Sequence, residues 1–357
     1  MTAIATPAPA TRNWSRLLTA LLIGVVGIVL YYLILSSVTD SSTALTQVFN
    51  ALSIGAIYAL VALGYTMVYG IIELINFAHG DIFMMGAFVS LWTLSAWPLP
   101  APLDKLGLGL GNGPVSDPLQ LVIYLLIAFA VTMPLIGLLN VAIERFFYRP
   151  LRNAPRLAPL ITAIGVSFIL QNIALVVAGS GDRKSPQIFP FDWRIPIGDA
   201  SIPLLNVMIF SVAIVLMIAL QVFVRRTRLG RAMRSTAQDR EAAQLMGVDL
   251  NQTIAITFLL GGALAGAAGV VWGLNFGFVR QDLGFNAGLK AFTSAVLGGI
   301  GNITGAALGG FLIGFIEVFA ATLGYLRWAE FIVFVTLTLI LVFRPAGILG
   351  QQLGERA

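Results

Sequence analysis

The sequence predicts an all-α, polytopic helical membrane protein with about 8–10 transmembrane helices, some of them broken or re-entrant. Three observations carry that expectation. Of 357 residues, 58% are hydrophobic and only 10% charged, against roughly 25% charged in soluble domains. A mean hydropathy of +0.91 leaves too little polar surface to wrap a soluble core, so lipid is the solvent for most of the chain. The apolar residues also fall into stretches near the roughly 20 residues that cross a hydrocarbon layer as helix. A soluble enzyme is excluded. With no cysteine and a single histidine, thiolate chemistry and Cys- or His-rich metal centres are excluded too, and no metal or cofactor is expected.

The elements follow in order. Residues 17–35 form a 19-residue apolar run behind Arg12 and Arg16. It exceeds a signal-peptide core, and the SSVTDSS that follows offers no A-x-A cleavage site. Further apolar stretches lie at about 45–70, 76–97, 119–143, 157–178, 203–224, 252–278, 289–301, 304–322 and 328–343. Arginines cluster at 145–156, at 225–240 and beyond 344; with about ten spans all three clusters fall on the side of Arg12, which the positive-inside rule makes cytoplasmic. The net charge of +5 is thus an orientation signal and a contact for anionic membrane lipid, not a nucleic-acid footprint. The expected organisation is a cytoplasmic tail at 1–16, a membrane domain at 17–343 with a cytoplasmic loop at 225–251, and a cytoplasmic tail at 344–357. Two places fit poorly: the turn at 71–80, and the short 289–301 stretch, which LGGIGNITG interrupts.

Small residues recur every fourth position at Ala51, Gly55 and Ala59, at Gly261, Ala265, Gly269, Gly273 and Gly277, and in the pairs Gly305 with Gly309 and Gly310 with Gly314. Helices in lipid associate where such residues line one face, so these predict a tightly packed core.

Polar residues at membrane depth mark candidate sites. Glu73, Asn76, His79 and Asp81 interrupt an apolar region where ionisable groups are costly. On a continuous helix Glu73, Asn76 and His79 would share one face, while Gly80 would permit a bend. The bland alternative is a solvated cytoplasmic turn. Asn76-Phe77-Ala78-His79-Gly80 and Phe285-Asn286-Ala287-Gly288 both open apolar helices in opposite halves, a hint of internal repetition that adds Asn286 to the candidates. Glu317 needs a partner, for which Lys290, Arg280 and Arg327 are available.

The loop at 225–251 reads as one short helix and a turn, with Gly247 as C-terminal cap. Within it, Glu241-Ala242-Ala243 followed by Gly247 resembles the EAA-x-x-x-G coupling loop of ABC-importer permeases. Three further segments extend the likeness: Leu229-Gly230-Arg231-Ala232-Met233-Arg234, the stretch from Gly70 to Gly80, and the stretch from Ala291 to Gly301. From about residue 44 to Gly350 the chain resembles the branched-chain amino-acid permease family. It departs from the general coupling motif in lacking the later proline, reading Ile256-Thr257-Phe258-Leu259 instead.

The resemblance implies a permease of a bacterial-type inner membrane that moves leucine, isoleucine and valine or related solutes by alternating access. It implies two ATP-binding subunits, a second related permease in a heterodimer, and an extracytoplasmic solute receptor. Gly230, Arg231, Asp239, Glu241, Ala242, Ala243 and Gly247 would contact the ATP-binding subunit, and Glu73, Asn76, His79 and Asn286 would lie near the path. No G-x-x-x-x-G-K-[ST] phosphate loop occurs in the chain, so ATP chemistry would belong to the partners and this chain would not be an enzyme. The alternatives are a urea or short-amide permease of the same family, and an ion-coupled secondary transporter working alone.

Overall fold

The computed structural model describes residues 27–28, 30–37, 39–73, 76–95, 115, 117–152, 154–155, 157–190 and 192–350. The tail at 1–16, most of the first expected span, most of the 98–118 loop and residues 351–357 lie outside the described residues. Within them the protein is helical, and seven helices are long and apolar enough to cross a membrane.

After a helical segment at 30–36 (α1), Asp40 caps α2 (Ser41–Ile72) by accepting a hydrogen bond from the Thr43 amide at 3.0 Å. α2 is the axis of the fold: 94% of its apolar window is buried. α9 (Leu250–Phe276), capped by Asp249, is the second inner helix at 72%. α4 (Pro118–Ile143), α5 (Leu157–Ala178), α6 (Leu204–Arg226) and α12 (Ala329–Phe343) form an outer layer with apolar faces exposed, as lipid-facing helices have. α11 (Ile303–Thr322) packs along α2.

Between these lie two short helices, α3 (His79–Leu94) and α10 (Leu283–Gly298), of 16 residues each. At 1.5 Å per residue each is about 24 Å long, less than the roughly 30 Å of hydrocarbon. These are the two places that fitted poorly in the sequence, and α10 begins earlier than expected, so Asn286 lies inside its first turns. Short strand pairs close one end: β1 (Arg183–Lys184) pairs antiparallel with β4 (Phe278–Val279), and β2 (Arg194–Ile197) with β3 (Ala200–Pro203). At the arginine-rich end, α7 (Arg228–Gln238) and α8 (Arg240–Leu245) form two surface helices where one helix and a turn were expected. There the 344–350 segment pairs with the end of α10, the Ile348 and Leu349 amides donating to the Leu297 and Gly298 carbonyls.

Glycine sets the packing. A Cβ built on Gly310 would run into the Ala59 backbone, and one on Gly314 into that of Gly55, so α2 and α11 touch main chain to main chain. α9 does the same on other sides, Gly269 of its stripe meeting Gly86 and Ala87 of α3, and Gly262, next to the stripe, meeting Ile136 and Asn140 of α4. Gly165 of α5 has nothing within 4 Å of such a Cβ. Replacing Gly310 with Leu should therefore cost about 1–3 kcal/mol or more through overpacking, read as a lower thermal midpoint and poor recovery in detergent. Gly165→Leu should behave as the native chain; equal behaviour of the two variants would contradict the packing.

Candidate functional site

The polar segment forms a buried cluster around the start of α3. α2 ends at Ile72 with Glu73 as its cap, the one non-glycine described residue at positive φ (57°). The chain then turns back, and α3 begins with His79 filling the space left by Gly64 of α2. Gly64 lies eight residues, about 12 Å, from the helix end. Asn76, His79 and Asp81 are 3%, 0% and 1% exposed, which rules out the solvated turn. Glu73 is exposed and shares no helical face with Asn76 and His79, contrary to the expectation, because the helix breaks between them.

Partners come from distant elements. The Ser167 hydroxyl and, at 3.1 Å, the Gln171 amide of α5 donate to the Asp81 carboxylate. Tyr148 donates to Asn76 Oδ1 at 2.7 Å, placed by a π turn at Glu144–Tyr148 that ends α4. The His79 ring lies edge-on to Tyr65 at 4.7 Å. The His79 ring is turned toward the Val61 carbonyl of α2, while Asn76 Nδ2 has no hydrogen-bond partner among the described residues. Beside them a cavity of about 10 Å³ is lined by Tyr65, Tyr69, Asn76, Phe292, Ala295 and Ile300. It has room for roughly one water molecule.

Gly80 packs against Gly284 and Gly288 of α10. It is a close-contact point, not the bend the sequence suggested. The two segments read as a repeat thus meet at their helix starts, although Asn286 itself is exposed.

The second region is the pair of surface helices. The Thr227 hydroxyl caps α7 by accepting from the Gly230 amide at 2.9 Å, and Asp239 caps α8 by accepting from the Ala242 amide at 3.0 Å. α8 ends in a turn in which Val248 N donates to Ala243 O at 3.0 Å, with Gly247 at φ +84°, a conformation that favours glycine. Arg231, Asp239, Glu241, Ala242 and Gly247 are exposed. Gly230 and Ala243 are buried: Gly230 sits on the Phe223 and Val224 carbonyls. Gly230 thus seats α7 on the end of α6, and the outward contact offered by α8 comes from its exposed residues. Leu245 and Met246 are 88% and 85% exposed at the tip of α8.

Two links join the regions. Arg240, the first residue of α8, donates to the Ile71 carbonyl at 3.0 Å, at the end of α2. Arg152 pairs with buried Glu144 and donates to Asn251 Oδ1 at 2.7 Å, tying the π turn to the first turn of α9. A third polar group lies near the middle of α2, where Tyr58 donates to Glu317 Oε2 at 2.7 Å and Lys290 meets Glu317 Oε1 at 3.0 Å. Of the three cations offered for Glu317, Lys290 is the partner; Arg280 pairs with Asp282 and Asp182. No group of three or more His, Asp or Glu side chains placed to hold a metal ion occurs among the described residues.

Sequence reasoning missed Tyr58, Tyr65, Tyr69 and Tyr148. The first three recur at spacings of seven and four, one face of α2, which was a legible signal. Tyr148 carried none. Tyr148→Phe leaves Asn76 with no side-chain partner and should cost about 1–3 kcal/mol, read as a lower thermal midpoint; an unchanged midpoint would show that the bond does not hold the π turn to the core.

Residues 47–341 match the family described as branched-chain amino acid transport system / permease component. The chain is 41% identical over 317 residues to the high-affinity branched-chain amino acid transport system permease protein BraD of Pseudomonas aeruginosa, covering 87% of this chain and 97% of the relative. It is 40% identical, with the same coverage, to LivH of Escherichia coli K12. A probable LivH of Methanocaldococcus jannaschii is 28% identical over 304 residues, 82% of this chain and 88% of that one. No solved structure matches. With a single profile spanning most of its length and relatives matched nearly end to end, the chain belongs to the family of branched-chain amino acid transport system permease components.

Proposed function

We propose that this chain is the membrane-spanning subunit of an ATP-driven importer that moves branched-chain and similar hydrophobic amino acids by alternating access. The reading rests on the family match over residues 47–341, and the substrate follows the printed function of the relatives. Neither the amide permease nor the ion-coupled carrier gains support from the relatives.

ATP is bound and split by two partner subunits; a second permease completes the membrane unit, and an extracytoplasmic receptor delivers the solute. The arginine-rich end faces the cytoplasm of a bacterial-type inner membrane, with both chain termini on that side. α8 docks into the ATP-binding subunit: its exposed Leu245 and Met246 are an apolar pair beside Glu241 with nothing in this chain to cover it. Movement of α8 pulls on the end of α2 through Arg240 and on the π turn through the linked start of α9. Both lead to Asn76 and His79. Two arrangements of that segment, biased by nucleotide on the partner, are what alternating access requires.

The test is to tag the chain and purify it gently from native membranes. ATP-binding subunits and a second permease should accompany it, with ATPase activity that rises with a leucine-loaded receptor; a chain that arrives alone and transports on an ion gradient would overturn the reading. Gly247→Pro, which forces φ to about −65° where +84° is needed, and Glu241→Lys should each abolish uptake while leaving the chain inserted. Normal uptake in both would remove α8 as the docking helix.

A further inference from the structure

The half-buried charges of α10 and α11 that meet the middle of α2 have no part in the coupling just described. Tyr58 lies seventeen residues from one end of α2 and fourteen from the other and is 2% exposed. Its hydroxyl donates to Glu317 Oε2 at 2.7 Å, while Lys290 Nζ lies 3.0 Å from Glu317 Oε1 and 6.0 Å from the centre of the Tyr58 ring. Lys290 and Glu317 keep only 13% and 18% of their side-chain surface. Lys290 also has a second carboxylate within reach, Glu330 on the first turn of α12 at 3.6 Å, and that one is 62% exposed.

An ion pair taken out of water gains little over well-packed apolar residues, and in a membrane domain ionisable groups mark pathways. This pair has two further properties. One ammonium faces two carboxylates, so Lys290 can lean toward Glu330 and uncover Glu317 without losing a counter-charge. The pair also stands on the face of α2 that leads to the aromatic cavity. Tyr65 follows Tyr58 by two turns, about 10 Å, and its ring meets that of Phe292 of α10 at 5.9 Å.

We propose that Lys290 and Glu317 receive the charged head group of the transported amino acid, its carboxylate on the Lys290 ammonium and its ammonium on Glu317, which Tyr58 orients. Admitting a zwitterion opens one ion pair into two and leaves no buried charge unmatched, whereas a lone amine or a lone acid would leave one over. The cargo class is an α-amino acid with a free ammonium and a free carboxylate, its apolar side chain directed toward Tyr65 and Phe292. The proposal rests on the importer reading above and adds the site that recognises the head group.

The test uses the whole complex in proteoliposomes with receptor, ATP and labelled leucine. Lys290→Met and Glu317→Gln should each lower uptake roughly tenfold or more, the scale of one lost charge-assisted contact, while receptor-stimulated ATP hydrolysis continues. Tyr58→Phe, which removes only a hydroxyl, should raise the apparent KM more than it lowers the maximal rate. The charge-swapped double variant Lys290→Glu with Glu317→Lys keeps an ion pair between α10 and α11; it should recover the thermal midpoint and not uptake, because the zwitterion then meets reversed charges. Native uptake in the swapped variant, or in both single variants, overturns the head-group site and makes the pair a structural pin. If the single variants fail to assemble, native kinetics in Tyr58→Phe overturns it as well. A native complex that takes up no leucine defeats the importer reading itself, an outcome distinct from native uptake that the variants retain.

Discussion

The contact on which the polar centre depends is the backbone-to-backbone crossing of α3 and α10. Gly80 lies against Gly284 and Gly288, and any side chain at these positions would occupy space that main chain or Asp81 already fills. Short helices that stop inside a membrane domain leave backbone and side-chain polar groups where lipid cannot satisfy them. Here the crossing holds the start of α3 against Gly64 of α2, and so fixes the depth at which His79, Asn76 and Asp81 are buried. Once they are there, neighbouring helices supply the hydrogen bonds that lipid cannot. Ser167 and Gln171 hold Asp81, and Tyr148 holds Asn76.

From that centre the proposed coupling has a structural route from the surface to the interior. α7 and α8 are not a loosely attached loop, since Gly230 is packed on the Phe223 and Val224 carbonyls of α6, Ala243 is buried and both helices are capped. What α8 offers outward is an apolar tip and an exposed acidic first turn; what it offers inward is Arg240 on the last turn of α2. On the proposed coupling, a displacement of α8 would act through Arg240 on the segment in which α2 ends and α3 begins. The strained backbone of Glu73 sits where a hinge between two arrangements is needed.

Much of this was legible in the sequence because it is carried by period and length. The long spans follow from apolar runs, the α2–α11 contact from small residues every fourth position, and the surface helices from an alanine-rich charged stretch ending at Gly247. Depth was not legible. Glu73, Asn76 and His79 have the spacing of one helical face, yet the helix stops between them, which no periodicity reveals. Nor does local pattern announce that Tyr148 reaches Asn76, that Ser167 reaches Asp81, or that Lys290 rather than Arg280 meets Glu317; those pairs are set by which helices cross. Gly230 and Ala243 lie in the resembling motif, and no local pattern announces that both are buried within the chain.

If α8 moves with the membrane core, a chain without cysteine makes that motion directly measurable. Spin labels on cysteines introduced at Gln244 of α8 and Phe285 of α10, both exposed, report one distance across the assembled complex in lipid. Coupling through Arg240 predicts that this distance shifts between the nucleotide-free and ATP-trapped states, and that the shift disappears when Arg240→Ala cuts the link to α2. A distance that is the same in both nucleotide states, in a complex that hydrolyses ATP and transports, would contradict the coupling.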